Sequence, residues 1–342
     1  MPLLLAVHFR IICENLQKLK SMNKISAIVL IMFTLSSCSS KREQNKNTQP
    51  SPQSQQSSTV TIPHFDGTAA FSLLKDQTNF GPRNPNSTGH ARCLDFLVNE
   101  LTKTADVVNR QEFTYRGYNN ELLTLTNIFA SFHPTATDRI LLLAHWDTRP
   151  RADMESDPAK RKQPILGAND GASGVAVLLE IARLFKQSPP PIGVDILLVD
   201  GEDYGKEQDL DRFSLGTRHF VDTRNPNYRP RFGILLDMIG DNDLQIPIEQ
   251  NSLSYAPNVV ETIWSAAEKL GVSQFVNSPG EQIFDDHIPL NEGGIPTVDI
   301  IDFQYPYWHT LQDTPDKCSA ESLDAVGKVI TYVVYSQNAH PL

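Results

Sequence analysis

Apolar positions along this chain follow two spacings. Some form short continuous runs that end abruptly at polar residues, and others recur every three or four residues. Val194-Asp195-Ile196-Leu197-Leu198-Val199 is of the first kind. It is too short for a typical helix and rich in branched aliphatic residues, so it reads as a buried strand. Leu122 to Phe132, Arg139 to Ala144, Phe232 to Leu236 and Ile295 to Ile301 read as strands too.

The helical spacing appears between these runs. Thr68 to Thr78 puts Ala70, Phe71, Leu73 and Leu74 on one side. Ser87 or Thr88 caps a helix through Leu101, with Cys93, Phe96, Leu97 and Leu101 in register. Gly171 to Phe185 turns Val175, Leu178, Leu179 and Ala182 inward, and Pro189-Pro190-Pro191 stops it. Asn258 to Leu270 is helical up to Gly271, and Ala320 to Tyr335 forms a closing amphipathic helix. Strands alternating with helices predict an α/β fold: three layers, α/β/α, around a mixed, mostly parallel central sheet.

In such sheets ligands bind at the carboxyl ends of the strands, and here those ends are crowded with acids and histidines. The run to Val199 opens into Asp200-Gly201-Glu202-Asp203, and Ala144 is followed by His145-Trp146-Asp147. Side chains two apart on a strand point the same way, so His145 and Asp147 share a face. Asp170 lies in the loop before a helix, Asp237 ends another strand, Asp285-Asp286-His287 precede Ile288-Pro289, and His309 follows the last strand. Adjacent carboxylates such as Glu202 and Asp203 repel unless a positive charge sits beside them. Mixed Asp, Glu and His without Cys suit zinc in a catalytic site, which keeps one position open for water or substrate.

Composition narrows the setting. The 342 residues are 40% apolar and 20% charged, with a formal charge of −10 that argues against a nucleic-acid surface. Residues 39 to 64 are mostly Ser, Gln, Asn, Lys and Pro, the composition of a disordered tether, and residues 65 to 342 read as one catalytic domain. With no heptad pattern, a monomer is the default. Met22-Asn23-Lys24, an apolar Ile25 to Leu35 and then Ser36-Ser37-Cys38 resemble a bacterial lipoprotein signal over residues 1 to 38, with Met22 as an alternative start. That resemblance implies lipidation at Cys38 and an exported protein held at a membrane only by this anchor. Cys93 and Cys318 could pair in an oxidising compartment, which the sequence leaves open.

Taken together and in order, the clusters resemble the zinc aminopeptidase clan, and within it the glutaminyl-peptide cyclotransferase (glutaminyl cyclase) branch. The motifs are Gly81-Pro82-Arg83-Asn84-Pro85, His145-Trp146-Asp147, Asn169-Asp170-Gly171-Ala172-Ser173-Gly174, Asp200-Gly201-Glu202-Asp203, Leu236-Asp237-Met238-Ile239-Gly240, Asp285-Asp286-His287-Ile288-Pro289 and Trp308-His309-Thr310. Asp285 and Trp308 lean toward the cyclase. The resemblance implies one Zn2+ per chain on Asp170, Asp203 and His309, with Asp203 where many relatives have Glu. It implies Glu202 as general acid/base in an acidic network with Asp237 and Asp285, and Trp308, Ile283, Phe284 and Tyr305 as pocket walls. The implied substrates are peptides or proteins with an amino-terminal Gln, converted to pyroglutamate with release of ammonia. A second ligand set, His145 and Asp237 bridged by Asp170, keeps a di-zinc aminopeptidase of the same fold as the alternative.

Overall fold

The computed structural model describes residues 62–206 and 209–337. Cys38 and nearly all of the expected tether lie outside them. Eight strands are present among these residues: β1 (Val107–Arg116), β2 (Leu122–Phe132), β3 (Arg139–His145), β4 (Gly193–Val199), β5 (Gly233–Asp237), β6 (Ile246–Ile248), β7 (Phe275–Pro279) and β8 (Thr297–Ile301). Six build one sheet in the order β1-β2-β4-β3-β5-β8, while β6 and β7 pair separately. The run β4-β3-β5-β8 is parallel, and β1 and β2 add an antiparallel hairpin at one edge. The expected mixed, mostly parallel sheet is therefore present.

The helices are α1 (Gly67–Thr78), α2 (Thr88–Thr104), α3 (Ala172–Gln187), α4 (Leu215–Thr223), α5 (Gln250–Tyr255), α6 (Pro257–Leu270), α7 (His287–Glu292) and α8 (Ala320–Ser336). Local chemistry sets several ends. Asp66 accepts the Thr68 and Ala69 N–H groups at the start of α1, and the Ser87 side chain accepts the His90 N–H at the start of α2. Gly271 closes α6 in the left-handed conformation, φ 68°, where a Cβ would be strained.

Alternation along each strand divides the core into two layers. Leu142, Ala144, Ile196, Leu198, Ile234 and Leu236 face α1, α2, α3, α6 and α8. Leu141, Leu143, Leu197, Val199 and Leu235 face the other way, toward Phe220 of α4 and Leu290 of α7. Covered on both faces, β4, β5 and β8 are buried at every residue, which is why they read as continuous apolar runs. The edge strand β1 is half-buried at best and polar along much of its length, so apolar spacing overlooks it. Helices α5 and α7 have six residues each, too few for a helical repeat to show. The last strand starts at Thr297, not Ile295, because Ile295 packs in the core under α7.

His145 pairs with Val199 and Asp237 with Ile301, so neighbouring strands end at one level. The loops that follow converge there.

Candidate metal centre and active site

His145 ends β3 and Asp237 ends β5, while Asp170 sits just before α3. The His145 Nε2 lies 3.1 Å from Asp170 Oδ1 and 3.2 Å from Asp237 Oδ1. Asp203 stands in a 3-10 turn after β4, and the His309 Nε2 lies 3.2 Å from Asp203 Oδ1 and 3.6 Å from Asp170 Oδ2. Two buried ligand groups thus share Asp170: Asp170, Asp203 and His309, and His145, Asp170 and Asp237. Asp170 Oδ2 and Asp203 Oδ2 are buried with no hydrogen-bond partner among the described residues. A buried carboxylate oxygen left unpaired is costly, so these two suit a cation. Carboxylate and imidazole donors without thiolate suit zinc.

The backbone around these ligands is held by distant residues. Asp313 accepts the N–H groups of Asn169, 2.8 Å, and Asp170, 3.2 Å, and the Tyr305 hydroxyl donates to Asp313 at 2.8 Å. Burial, with the Asp170 charge next, pushes the Asp313 carboxyl up to about 7. Buried Arg83 donates to the carbonyls of Trp146, Leu166 and Gly167, which gives the Gly81-Pro82-Arg83 motif its task. Asp147 accepts from the N–H of Glu202 at 3.0 Å and of Asp203 at 3.4 Å. His90 bonds both oxygens of Asp200 and stacks on Trp146 at 4.4 Å. At Gly171 an added Cβ would meet the His145 ring at 2.5 Å, so only glycine lets the imidazole lie this close. Met238 and His309 adopt left-handed backbone, φ 47° and 55°, unusual for residues with a Cβ. Hydrogen bonds at or just after these residues hold them there. Ile239 and Gly240 donate to Ser173 and Asn169, and the His309 carbonyl accepts from Met154.

A small cleft of ≈ 60 Å³ opens on the Asp170, Asp203 and His309 group. Glu202, Asp237, Asp285, Ile283, Phe284 and Trp308 all line it. Burial, and then the Asp285 charge, raise the Glu202 carboxyl well above the usual range. Burial, followed by Asp237 and Asp286, does the same for Asp285, whose Oδ2 has no protein partner among the described residues. Trp308 stacks on the His309 ring at 3.8 Å.

Tyr305 is a correction. It is absent from the cleft lining: its side chain is buried behind the wall, with its hydroxyl committed to Asp313. A phenol suits this place because its ring packs with Met238 and Ile283 while its O–H finds a buried acceptor. Phe213, Met238, Ile301 and Phe303 are walls that sequence reasoning missed. Arg149 was missed too; it donates to Asp203 Oδ1 at 2.6 Å. Its closeness to the His145-Trp146-Asp147 motif was the one available signal. Cys93 and Cys318 are separate buried thiols.

Known proteins share this fold. The sequence profile of peptidase family M28 matches residues 127–334. The structure of Tannerella forsythia glutaminyl cyclase is 42% identical, with TM-score 0.77, covering 80% of this chain and 99% of that one. The structure of a leucine aminopeptidase precursor from Bacteroides thetaiotaomicron is 41% identical, with TM-score 0.78, covering 81% and 99%. Aminopeptidase YwaD of Bacillus subtilis is 25% identical over 284 residues, or 79% of this chain and 57% of that protein's length.

Proposed function

The chain belongs to peptidase family M28, and within it we propose that it is a zinc-dependent glutaminyl-peptide cyclotransferase, closing an amino-terminal Gln to pyroglutamate with release of ammonia. The observation that carries the reading is Asp285, buried in the cleft that Glu202 and Asp237 also line, with an unpaired oxygen beside the general-base candidate. Solved glutaminyl cyclases among the similar structures support it.

Asp170, Asp203 and His309 would hold one Zn2+. The ion supplies Lewis-acid polarisation of a carbonyl oxygen when bound. The rest falls to the chain's own residues. The substrate tethers its own nucleophile, so little entropy has to be removed. Glu202 takes a proton from the α-amine as the new C–N bond forms, and delivers it to the departing nitrogen as the amide C–N bond breaks. A general acid/base works best with its pKa near the operating pH. Burial and Asp285 push Glu202 up toward that range, and a neighbouring cation pulls it back. Trp308, Ile283, Phe284 and Phe303 exclude water, which disfavours hydrolysis.

One feature favours the alternative, a di-zinc aminopeptidase: the second group of His145, Asp170 and Asp237 is close enough to hold a metal. In a cyclase that place is better left to a proton. An α-amine whose lone pair is bound to a second metal cannot attack. The His145 Nε2 already lies within hydrogen-bond reach of Asp170 and Asp237. Metal analysis of protein purified without added zinc decides the matter, read beside two assays. One zinc per chain, with ammonia from Gln-peptides and little release from Leu-anilide, is expected. Two zincs with fast Leu-anilide cleavage and no ammonia would make the chain an aminopeptidase. The same proposal makes it a monomeric exported lipoprotein acting on peptides or proteins that begin with Gln.

A further inference from the structure

Glu249 is a buried acid that the proposed reaction does not use. It stands just before α5 and accepts from two directions. Its Oε1 takes the Asn251 N–H at 2.8 Å and the Ile283 N–H at 2.9 Å. Its Oε2 takes the Ser252 N–H at 2.5 Å and faces the His287 Nε2 at 3.3 Å. Each oxygen thus serves the start of α5 on one side and the segment 283–287 on the other. Ile283 and His287 are the two ends of that segment, and Asp285 is its midpoint.

We propose that Glu249 is a positioning residue for Asp285: by gripping Ile283 and His287 together it holds the carboxyl between them in the cleft. The inference rests on the reading that Asp285 assists Glu202 there. The grip starts from the sheet. Ser252 Oγ accepts the Asp299 N–H of β8 at 2.9 Å, so α5 is docked on that strand. Asn251 Nδ2 donates to the Ile283 carbonyl at 2.7 Å, so both backbone groups of this cleft wall are held from α5. At the other end the His287 Nδ1 lies 3.7 Å from Asp299 Oδ2, which places the ring between α5 and β8. Within the segment, Asp285 Oδ1 accepts the Asp286 N–H at 2.5 Å, and the Asp285 carbonyl accepts the Ile288 N–H at 2.9 Å. The Asp285 Oδ2 is left without a protein partner among the described residues, and Asp285 lines the cleft.

A helix cap alone does not account for this acid. Asn or Ser caps a helix equally well, but each carries a single oxygen and a shorter side chain that cannot serve both segments. Here donors converge on both oxygens and use the acceptor capacity of an ionised carboxylate. Burying an acid is costly unless its oxygens are met, and half of the donors that meet this one come from the segment bearing Asp285. Because Ile283 and His287 share one carboxylate, a shift of either moves the other, and Asp285 with them. A catalytic group has to be held to within about 0.5 Å by the residues behind it.

Glu249→Gln keeps the shape but sets an NH2 group against the N–H donors on one side. Ammonia release from a Gln-peptide by the zinc-loaded protein is measured for Glu249→Gln, for Asp285→Asn and for the double variant. Glu249→Gln should lower kcat about 10–100-fold, the scale of a misplaced group, with KM within about 2-fold and zinc content unchanged. In the Asp285→Asn background it should cost less than about 2-fold more, because the carboxyl it positions is gone. A loss of fold would reduce both backgrounds alike. Should Glu249→Gln fail to fold by circular dichroism, His287→Gln takes its place in the same cycle, since it leaves the Asn251 and Ser252 bonds intact. A kcat near the parent value for Glu249→Gln, or an equal loss in both backgrounds, would overturn the inference and leave the cyclase reading standing. Asp285→Asn at the parent rate would remove both. If the parent protein releases no ammonia, the cyclase reading fails instead, and the same cycle on Leu-anilide cleavage decides the positioning by the same two outcomes.

Discussion

Arg149 places a guanidinium nitrogen 2.6 Å from Asp203 Oδ1, although Asp203 is one of three side chains converging on a metal position. Both residues are buried. Burial alone would raise the Asp203 carboxyl, yet His309 and then Arg149 hold it well below the usual range. The arginine keeps Asp203 ionised and turned so that its second oxygen stays free of protein partners.

Arg149→Met should therefore loosen zinc. Residues that orient a ligand typically affect metal affinity by about 10–100-fold. Competition with a chromophoric chelator measures this directly. Zinc affinity unchanged from the parent protein would mean that Asp203 needs no such partner.

Glu202→Gln separates proton transfer from metal binding. The amide is close in shape but cannot shuttle a proton. Activity should fall about 10²–10⁴-fold with zinc content intact. Asp203→Ala should lose metal and activity together. A Glu202→Gln variant near the parent rate would remove Glu202 from its role.

Glu249 carries a pH prediction. Burial would raise its carboxyl, but His287 and the Ile283 and Asn251 N–H groups bring it down to about 2, from an ordinary 4.5. A depressed carboxyl stabilises the fold above its unfolded pKa, and this contribution is lost as pH falls toward the folded value. Glu249→Gln should thus lower the urea midpoint at pH 7, and the gap to the parent should narrow between about pH 5 and pH 2. A gap constant over that range would show that Glu249 acts through shape and not charge.

Cys38→Ala tests the anchor expected from the lipobox. The variant should leave the membrane fraction or accumulate unprocessed. Unchanged fractionation would count against lipidation.

What the amino-acid sequence determined by itself was local. Continuous apolar runs mark strands covered on both faces, and acids at their ends mark a site, because burial and side-chain chemistry are written position by position. Asp170, Asp203 and His309 stood out as strand-end acids and a histidine for that reason, while their grouping as one ligand set came from the family resemblance; the alternation that makes the sheet mostly parallel was local too. Tertiary structure decided which distant groups act on these residues. Asp313 reaches Asn169 across 144 positions, and Arg83 reaches Gly167 across 84. No periodicity encodes such pairs, since they depend on where the loops run after each strand ends. Tyr305 shows the same limit: the family resemblance implied a cleft wall, but in the fold its hydroxyl donates to Asp313 instead. Folding thus turned a row of strand-end acids into two ligand groups sharing Asp170, with Arg149 on one side and the Asp285 carboxylate lining the cleft beyond.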